Sequence, residues 1–259
     1  MSAFFHEVFY RPIFNALIAL YHYLPVHDLG LAIIVVTIAT LVVLFWPSLV
    51  QIKSSQALQE LQPKLKALQT KYKDNREVLA KQTMQLYKEH KFNPLSSCLP
   101  LLIQLPFFFA LYRVFISGLS VNPTTHLLNP SQLPNLYGHL RDIYTTAALS
   151  PISFGFLNLT AKHNVILALI VGATQYFLTK LLAPKKGAPN IPSAKDERTT
   201  SSILQQMNYF TPISFAVISY ILPAGLSLYY ITWNVFQILQ RQWVARKHAS
   251  RAQEKISTQ

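Results

Sequence analysis

Residues 29–50 form an apolar run without a single charged side chain. About 20 consecutive apolar residues cover the hydrocarbon core of a bilayer as a helix, so this run constrains the fold more than any other feature. Three further stretches behave alike. Residues 95–119 carry Pro100, Pro106 and one charge, Arg113, near enough to the end to snorkel to the interface. Residues 165–183 carry only Lys180, and 203–244 carry only Arg241 and are broken at Pro223-Ala224-Gly225, a length that fits two spans joined by a tight turn. The chain is 51% hydrophobic and 13% charged, against roughly 25% charged in an ordinary soluble domain. The pattern predicts an all-α polytopic membrane protein with five transmembrane helices, at 28–50, 95–119, 164–184, 203–222 and 223–244.

The segments between the spans differ in kind. Residues 1–27 read as an amphipathic interfacial helix: Glu7, Arg11, Asn15 and His22 recur on one side, Phe5, Phe9, Phe14, Leu17 and Leu20 on the other. In 51–94, Leu58, Leu61, Leu65, Leu68 and Tyr72 follow a heptad seam, Pro63 must begin or kink the helix, and Leu79, Met84, Leu86 and Tyr87 follow a break at Asp74-Asn75. A cytoplasmic helical hairpin is the economical reading. Residues 120–163 form a proline-rich extracytoplasmic loop without a repeat, 185–202 a cytoplasmic loop, and 245–259 a basic cytoplasmic tail.

The net charge of +13 arises from 23 Lys+Arg against 10 Asp+Glu. Positive residues collect in cytoplasmic loops, and here they fall in 51–94, around 180–198 and in the tail, leaving only Arg11, Arg113, Arg141 and Lys162 for the other side. Five spans with the N-terminus outside and the C-terminus in the cytoplasm satisfy that distribution. The lack of a basic n-region and of a small-residue cleavage site argues against a cleavable signal, and the short layout favours a bacterial plasma (inner) membrane.

No catalytic chemistry is apparent. There is no nucleophile elbow, phosphate-binding loop or His-Glu-x-x-His motif, and the one cysteine, Cys98, excludes an internal disulfide and a cysteine-based zinc site. The span interiors lack Asp, Glu and His, which an intramembrane enzyme or ion-coupled transporter would need. The expectation is therefore no enzyme, no metal, no cofactor and no small-molecule substrate. The spans do hold uncharged polar residues, each of which could make an ordinary interhelical hydrogen bond. Their presence on all five spans also fits a shared hydrated cavity.

Several ordered motifs resemble the YidC/Oxa/Alb membrane-protein insertases: Phe9-Tyr10-Arg11-Pro12-Ile13-Phe14-Asn15, His27-Asp28-Leu29-Gly30-Leu31-Ala32-Ile33-Ile34, Gln51-Ile52-Lys53-Ser54-Ser55, Leu61-Gln62-Pro63-Lys64-Leu65, Asn93-Pro94-Leu95, Cys98-Leu99-Pro100-Leu101-Leu102-Ile103-Gln104-Leu105-Pro106, Thr174-Gln175 and Leu222-Pro223-Ala224-Gly225-Leu226-Ser227-Leu228-Tyr229-Tyr230. The likeness covers nearly the whole chain. It implies five helices around a polar groove open to cytoplasm and lipid but closed outside, and a function in inserting and folding membrane proteins, alone or with the Sec translocon, without nucleotide hydrolysis. The implied partners are nascent membrane-protein clients and the lipid bilayer, with the ribosome and Sec translocon as further candidates. Thr37, Thr40, Leu41, Gln104, Gln175, Thr179, Ser219, Tyr230 and Asn234 are the candidate groove residues. Lys64, Lys66, Lys71, Lys73 and Arg76 of the hairpin, with Arg246, Lys247 and Arg251 of the tail, are candidates for client or ribosome contact. Bacterial members usually carry a groove arginine in the first core span; the aligned position here is Leu41, which implies a neutral groove. A small channel using the polar cavity as a permeation path is the alternative from another class, and a static assembly factor is a third. A channel needs neither the hairpin nor the basic tail.

Overall fold

The computed structural model describes residues 3–90, 95–119, 121–122, 124–182 and 198–257, without the side chains of 55, 58–59, 62, 66, 95–103, 182, 198–208 and 247–257. The N-terminal rod consists of α1 (Ala3–Phe5), a π-helical turn (His6–Tyr10) and α2 (Arg11–Tyr23). The backbone stays helical through both junctions, at Phe5 and Tyr10. Helix α3 (Leu29–Val43) starts at Asp28, whose side chain accepts the Leu31 N–H at 2.9 Å, supplying one partner that helix starts otherwise lack.

Helix α3 ends at Val43, and α4 (Phe45–Lys71) begins one residue later on an axis bent by 65°. Pro47 accounts for the break, because a proline ring collides with the carbonyl four residues earlier, here that of Val43. The helix then runs unbroken through position 50 and past Pro63, so no structural boundary separates the apolar run from the first arm of the hairpin. Asn75 caps α5 (Arg76–Glu89) by accepting the Val78 N–H at 3.1 Å. The hairpin closes on a small core of Leu61 and Leu86, flanked by Ala57, Leu65, Leu68 and Tyr87. The Lys64 Nζ lies 2.7 Å from His90 Nε2 across its open end.

Helix α6 (Leu95–Arg113) closes with a π-helical turn (Val114–Gly118). Beyond it, 121–163 folds into a 3-10 turn (Pro130–Asn135), α7 (Gly138–Tyr144) and a two-stranded antiparallel ribbon, β1 (Ile152–Ser153) with β2 (Leu157–Asn158), pairing Ile152 with Asn158 and Ser153 with Leu157. Then come α8 (Val165–Leu182), α9 (Arg198–Ile221) and α10 (Ala224–Ser257), whose last turns continue the helix past position 244. Helix α8 packs on α9 and α10, α10 on α3, α3 on α2, and α6 on α4 and α2.

The largest buried cluster lies at one end of this bundle. Phe14, Leu17, Ile18 and Tyr21 of α2, Leu29, Ala32 and Ile33 of α3, and Leu226 and Tyr229 of α10 enclose Leu128, Leu136, Leu140, Tyr144, Leu149 and Leu159 of the 121–163 segment. That segment is thus a packed cap. Asn15, placed by the sequence pattern on the polar face of the N-terminal helix, is 4% exposed and turns inward to the cap. It donates to the carbonyls of Arg11 and Asn135, both at 2.8 Å, and accepts the Tyr137 N–H at 2.7 Å. Tyr10 donates to Gln132 Oε1 at 3.0 Å, and burial pushes its phenol up to about 12, so it stays a neutral donor. On the far side, the backbone N–H groups of Ala224 and Gly225 donate to Ala161 and Leu159, and that of His163 donates to Tyr220. At Gly225 a Cβ would overlap the Phe115 ring, so the α9–α10 turn can approach α6 only with glycine there.

Candidate functional site

Thr37, Gln104, Ser219, Asn234 and Gln237 of the apolar helices are buried, while many large apolar side chains of the same helices are exposed. Val42, Val43 and Trp46 are exposed at the α3–α4 junction, as are Ile166, Leu169 and Phe177 on α8, Phe210 and Ile213 on α9, and Leu239 and Trp243 on α10. Soluble monomers rarely expose apolar patches on this scale, whereas a lipid-facing surface requires them. Among the described residues no single helix is both long and apolar enough to cross a bilayer. The bent pair Leu29–Val43 with Phe45–Ser54 meets that length and composition, and Val165–Leu181 and Tyr209–Ile221 are shorter apolar stretches.

The inward residues fall into distinct groups. Thr37, 2% exposed, and Thr40 donate to the carbonyls of Ile33 and Val36 at 2.6 and 2.8 Å. Thr179 likewise donates to Gln175, at 2.8 Å. A threonine that bonds back to its own helix satisfies its proton in apolar surroundings and keeps an acceptor lone pair free. Thr174 shows the use of that lone pair: its Oγ1 accepts from Asn234 Nδ2 at 3.1 Å, joining α8 to α10, with Asn234 only 1% exposed. Leu41 is also sealed, at 1% exposure. Gln175 is half-buried on the adjoining turn of α8.

Tyr230 joins three helices. Its ring centroid lies 5.8 Å from that of Phe108 on α6 and 5.2 Å from that of Phe215 on α9. One turn before Phe108 on α6 stands Gln104, 9% exposed, and neither its amide nitrogen nor its amide oxygen has a hydrogen-bond partner among the described residues. Ser219 stands apart from these. Its hydroxyl lies 2.7 Å from that of Ser227, so it clasps the α9–α10 turn.

A second polar cluster, absent from the sequence-based site, lies where α10 passes the start of α4. Ser48 Oγ donates to Gln240 Oε1 at 2.7 Å and lies 3.4 Å from the Gln237 amide, while Gln240 Nε2 donates to the Phe45 carbonyl at 3.4 Å. Arg241 follows, with a buried Nε that has no hydrogen-bond partner among the described residues. The spacing of Gln237 and Gln240, one helical turn apart in an apolar run, is the signal that could have found it.

On the hairpin, Lys64, Lys71, Lys73 and Arg76 are exposed, as is Arg246 on α10. The Lys71 ammonium stands 5.2 Å from the centre of the Tyr72 ring. The side chains of Lys66, Lys247 and Arg251 lie outside the described residues. Among the described residues no cluster of three or more His, Cys, Asp or Glu could hold a metal ion.

A family model described as "60Kd inner membrane protein" matches residues 19–252. A membrane protein insertase YidC of Fusobacterium nucleatum is 32% identical over 86% of this chain and 89% of its own length. Those of Syntrophobacter fumaroxidans and Streptomyces avermitilis are 32% and 31% identical over 91% and 85% of this chain, which spans only 37% and 51% of their lengths. Among solved structures, an active YidC insertase crystal structure with its first transmembrane domain resolved superposes with a TM-score of 0.55 at 24% identity, covering 89% of this chain and 45% of that one. That superposition concerns the fold alone.

Proposed function

The chain belongs to the 60Kd inner membrane protein family, the family of the membrane protein insertases it resembles, and from that membership we propose that it passes short polar segments of client proteins into a bacterial membrane through an uncharged hydrated groove. Five spans with the N-terminus outside and the C-terminus in the cytoplasm complete the proposal. Thr37, Thr40, Gln104, Gln175, Tyr230 and Asn234 line the path, with Leu41 as an uncharged wall and Thr179 beyond it on α8. Ser219 acts in the closure of the outer turn. The basic faces of the hairpin and tail receive clients, and contact with the ribosome or a Sec complex would use the same surfaces.

The observation that carries this reading is Gln104. A buried carboxamide without a hydrogen-bond partner among the described residues costs about 2–7 kcal/mol, which water or a client's polar group beside it would relieve. A wet site lowers the barrier for a client segment, since each charged residue at the centre of a bilayer costs about 3 kcal/mol. Lipid burial of the client's apolar helix, at about 25 cal/mol per Å², then drives the step without nucleotide hydrolysis. The cap favours insertion over permeation, because a path that ends under Leu128, Leu136 and Tyr144 has no outer exit.

The test is reconstitution into liposomes with a ribosome-free single-span client. Protease-protected client is the expected product, and Gln104→Leu should reduce it severalfold while leaving the fold intact by melting. Solute flux without client protection would sink the proposal.

A further inference from the structure

The ribbon turn of the cap shows apolar side chains that the cap's own core does not use. Phe156 is 82% exposed, Ile152 49% and Phe154 44%, with Val26 of the neighbouring α2–α3 loop at 67%. The turn is held firmly. Phe154 has a φ of 54° and Gly155 of 78°, and the left-handed region disfavours a bulky residue such as phenylalanine. Asp28 sustains it: while one carboxylate oxygen caps α3, the other accepts the Phe154 N–H at 2.5 Å. The fully buried Ser153 accepts the Gly30 N–H at 2.7 Å.

These bonds also fix its depth. The Phe154 ring lies so close to Gly30 that a Cβ there would come within 2.8 Å of it, and Gly30 is the second residue of α3. The turn therefore flanks the outer end of α3, beside the bundle. Gly30, Ile34 and Ile38 follow at four-residue spacing on one stripe of the helix, and Ile38 is exposed. The aromatic turn thus continues the apolar outer surface of the helices up to the level where their apolar runs begin, the depth at which amphipathic and aromatic groups settle in a bilayer.

We propose that Phe154-Gly155-Phe156 is a membrane anchor that seats in the interfacial region of the outer leaflet and fixes the cap to the bilayer surface. The proposal rests on α3 crossing the membrane. A nitroxide at Phe156→Cys, in a Cys98→Ser background reconstituted into phosphatidylethanolamine–phosphatidylglycerol vesicles, tests it by collision with oxygen and with a water-soluble nickel chelate. Labels at Val42→Cys, on the exposed face of α3, and at Thr125→Cys, on the exposed cap, serve as lipid and water references. Position 156 should collide with oxygen severalfold more than with nickel, as position 42 should, whereas position 125 should show the reverse. A label at 156 that behaves like 125 overturns the anchor. So does one that is immobile and shielded from both reagents, which would mean a protein occupies the site. Failure at 42 as well would locate the error in the spanning reading itself. Should the cysteine-free background not fold, Phe156→Trp in the unaltered chain should gain quenching by lipids brominated near the headgroup, and no gain would overturn the anchor equally.

Discussion

At one end of the bundle, the 121–163 cap is tied to α2 through Asn15, to α3 through Asp28 and Ser153, and to the α9–α10 turn through three backbone hydrogen bonds. At the other end, the hairpin of α4 and α5 closes on Leu61 and Leu86, and α10 meets α4 through Ser48, Gln237 and Gln240. The cap contacts join distant parts of the chain through a large apolar core as well as hydrogen bonds, whereas those at the hairpin end are polar or confined to neighbouring helices. Dense packing resists deformation and excludes water, so the cap end suits a seal. A polar junction with few apolar contacts opens at low cost, which suits the client entry proposed for the hairpin end.

The sharpest way to break this contrast is at Gly225. Gly225→Val would drive a side chain into Phe115, and overpacking at such a site costs about 3 kcal/mol. A large drop in melting temperature is expected, and Phe115→Ala in the same chain should recover part of it. An unchanged melting temperature would mean that the cap end is looser than its contacts imply. Next in size is Asn15→Ala, which leaves the Asn135 carbonyl and the Tyr137 N–H without their partner, at about 2 kcal/mol. Limited proteolysis should then cut within 121–163 sooner than in the parent. The smallest global effect is expected from Leu86→Ala. Removing half of a two-residue core should cost about 2 kcal/mol locally, speeding hydrogen exchange across Arg76–Glu89 while the melting of the bundle holds. A matching loss of bundle stability would show the two ends to be coupled.

The apolar runs made the helices legible, because a long stretch of apolar residues in this composition is read as helix. The hairpin was legible too, since its seam is local. The cap was not: apart from the short helical spacing of Leu136, Leu140 and Tyr144, its buried residues Leu128, Leu149 and Leu159 follow no helical or strand period, and their partners lie on α2 and α3, more than 90 residues away. Asn15 was misplaced for the same reason, as an asparagine on a helix face carries no mark of whether it meets water or a carbonyl. Thr37 and Asn234 could be read as polar residues within spans, but the Ser48–Gln240 contact joins residues far apart in the chain, which no local pattern announces. Pro47 was visible, yet the apolar residues that follow it to position 50 masked the break it imposes.

That break gives the molecule a lever. With the fulcrum at Leu44 and an arm of 27 residues, the reach is about 40 Å at the usual helical rise. A pivot of about 10° there would sweep the far end of α4 through roughly 7 Å. Because Trp46 and Val50 lie on the first turns of that same arm, nearest the pivot, a client pressing on the hairpin of the proposed topology would move these exposed apolar side chains by a small fraction of the sweep, turning a load at the far end into a slight local displacement of the bilayer beside the bundle.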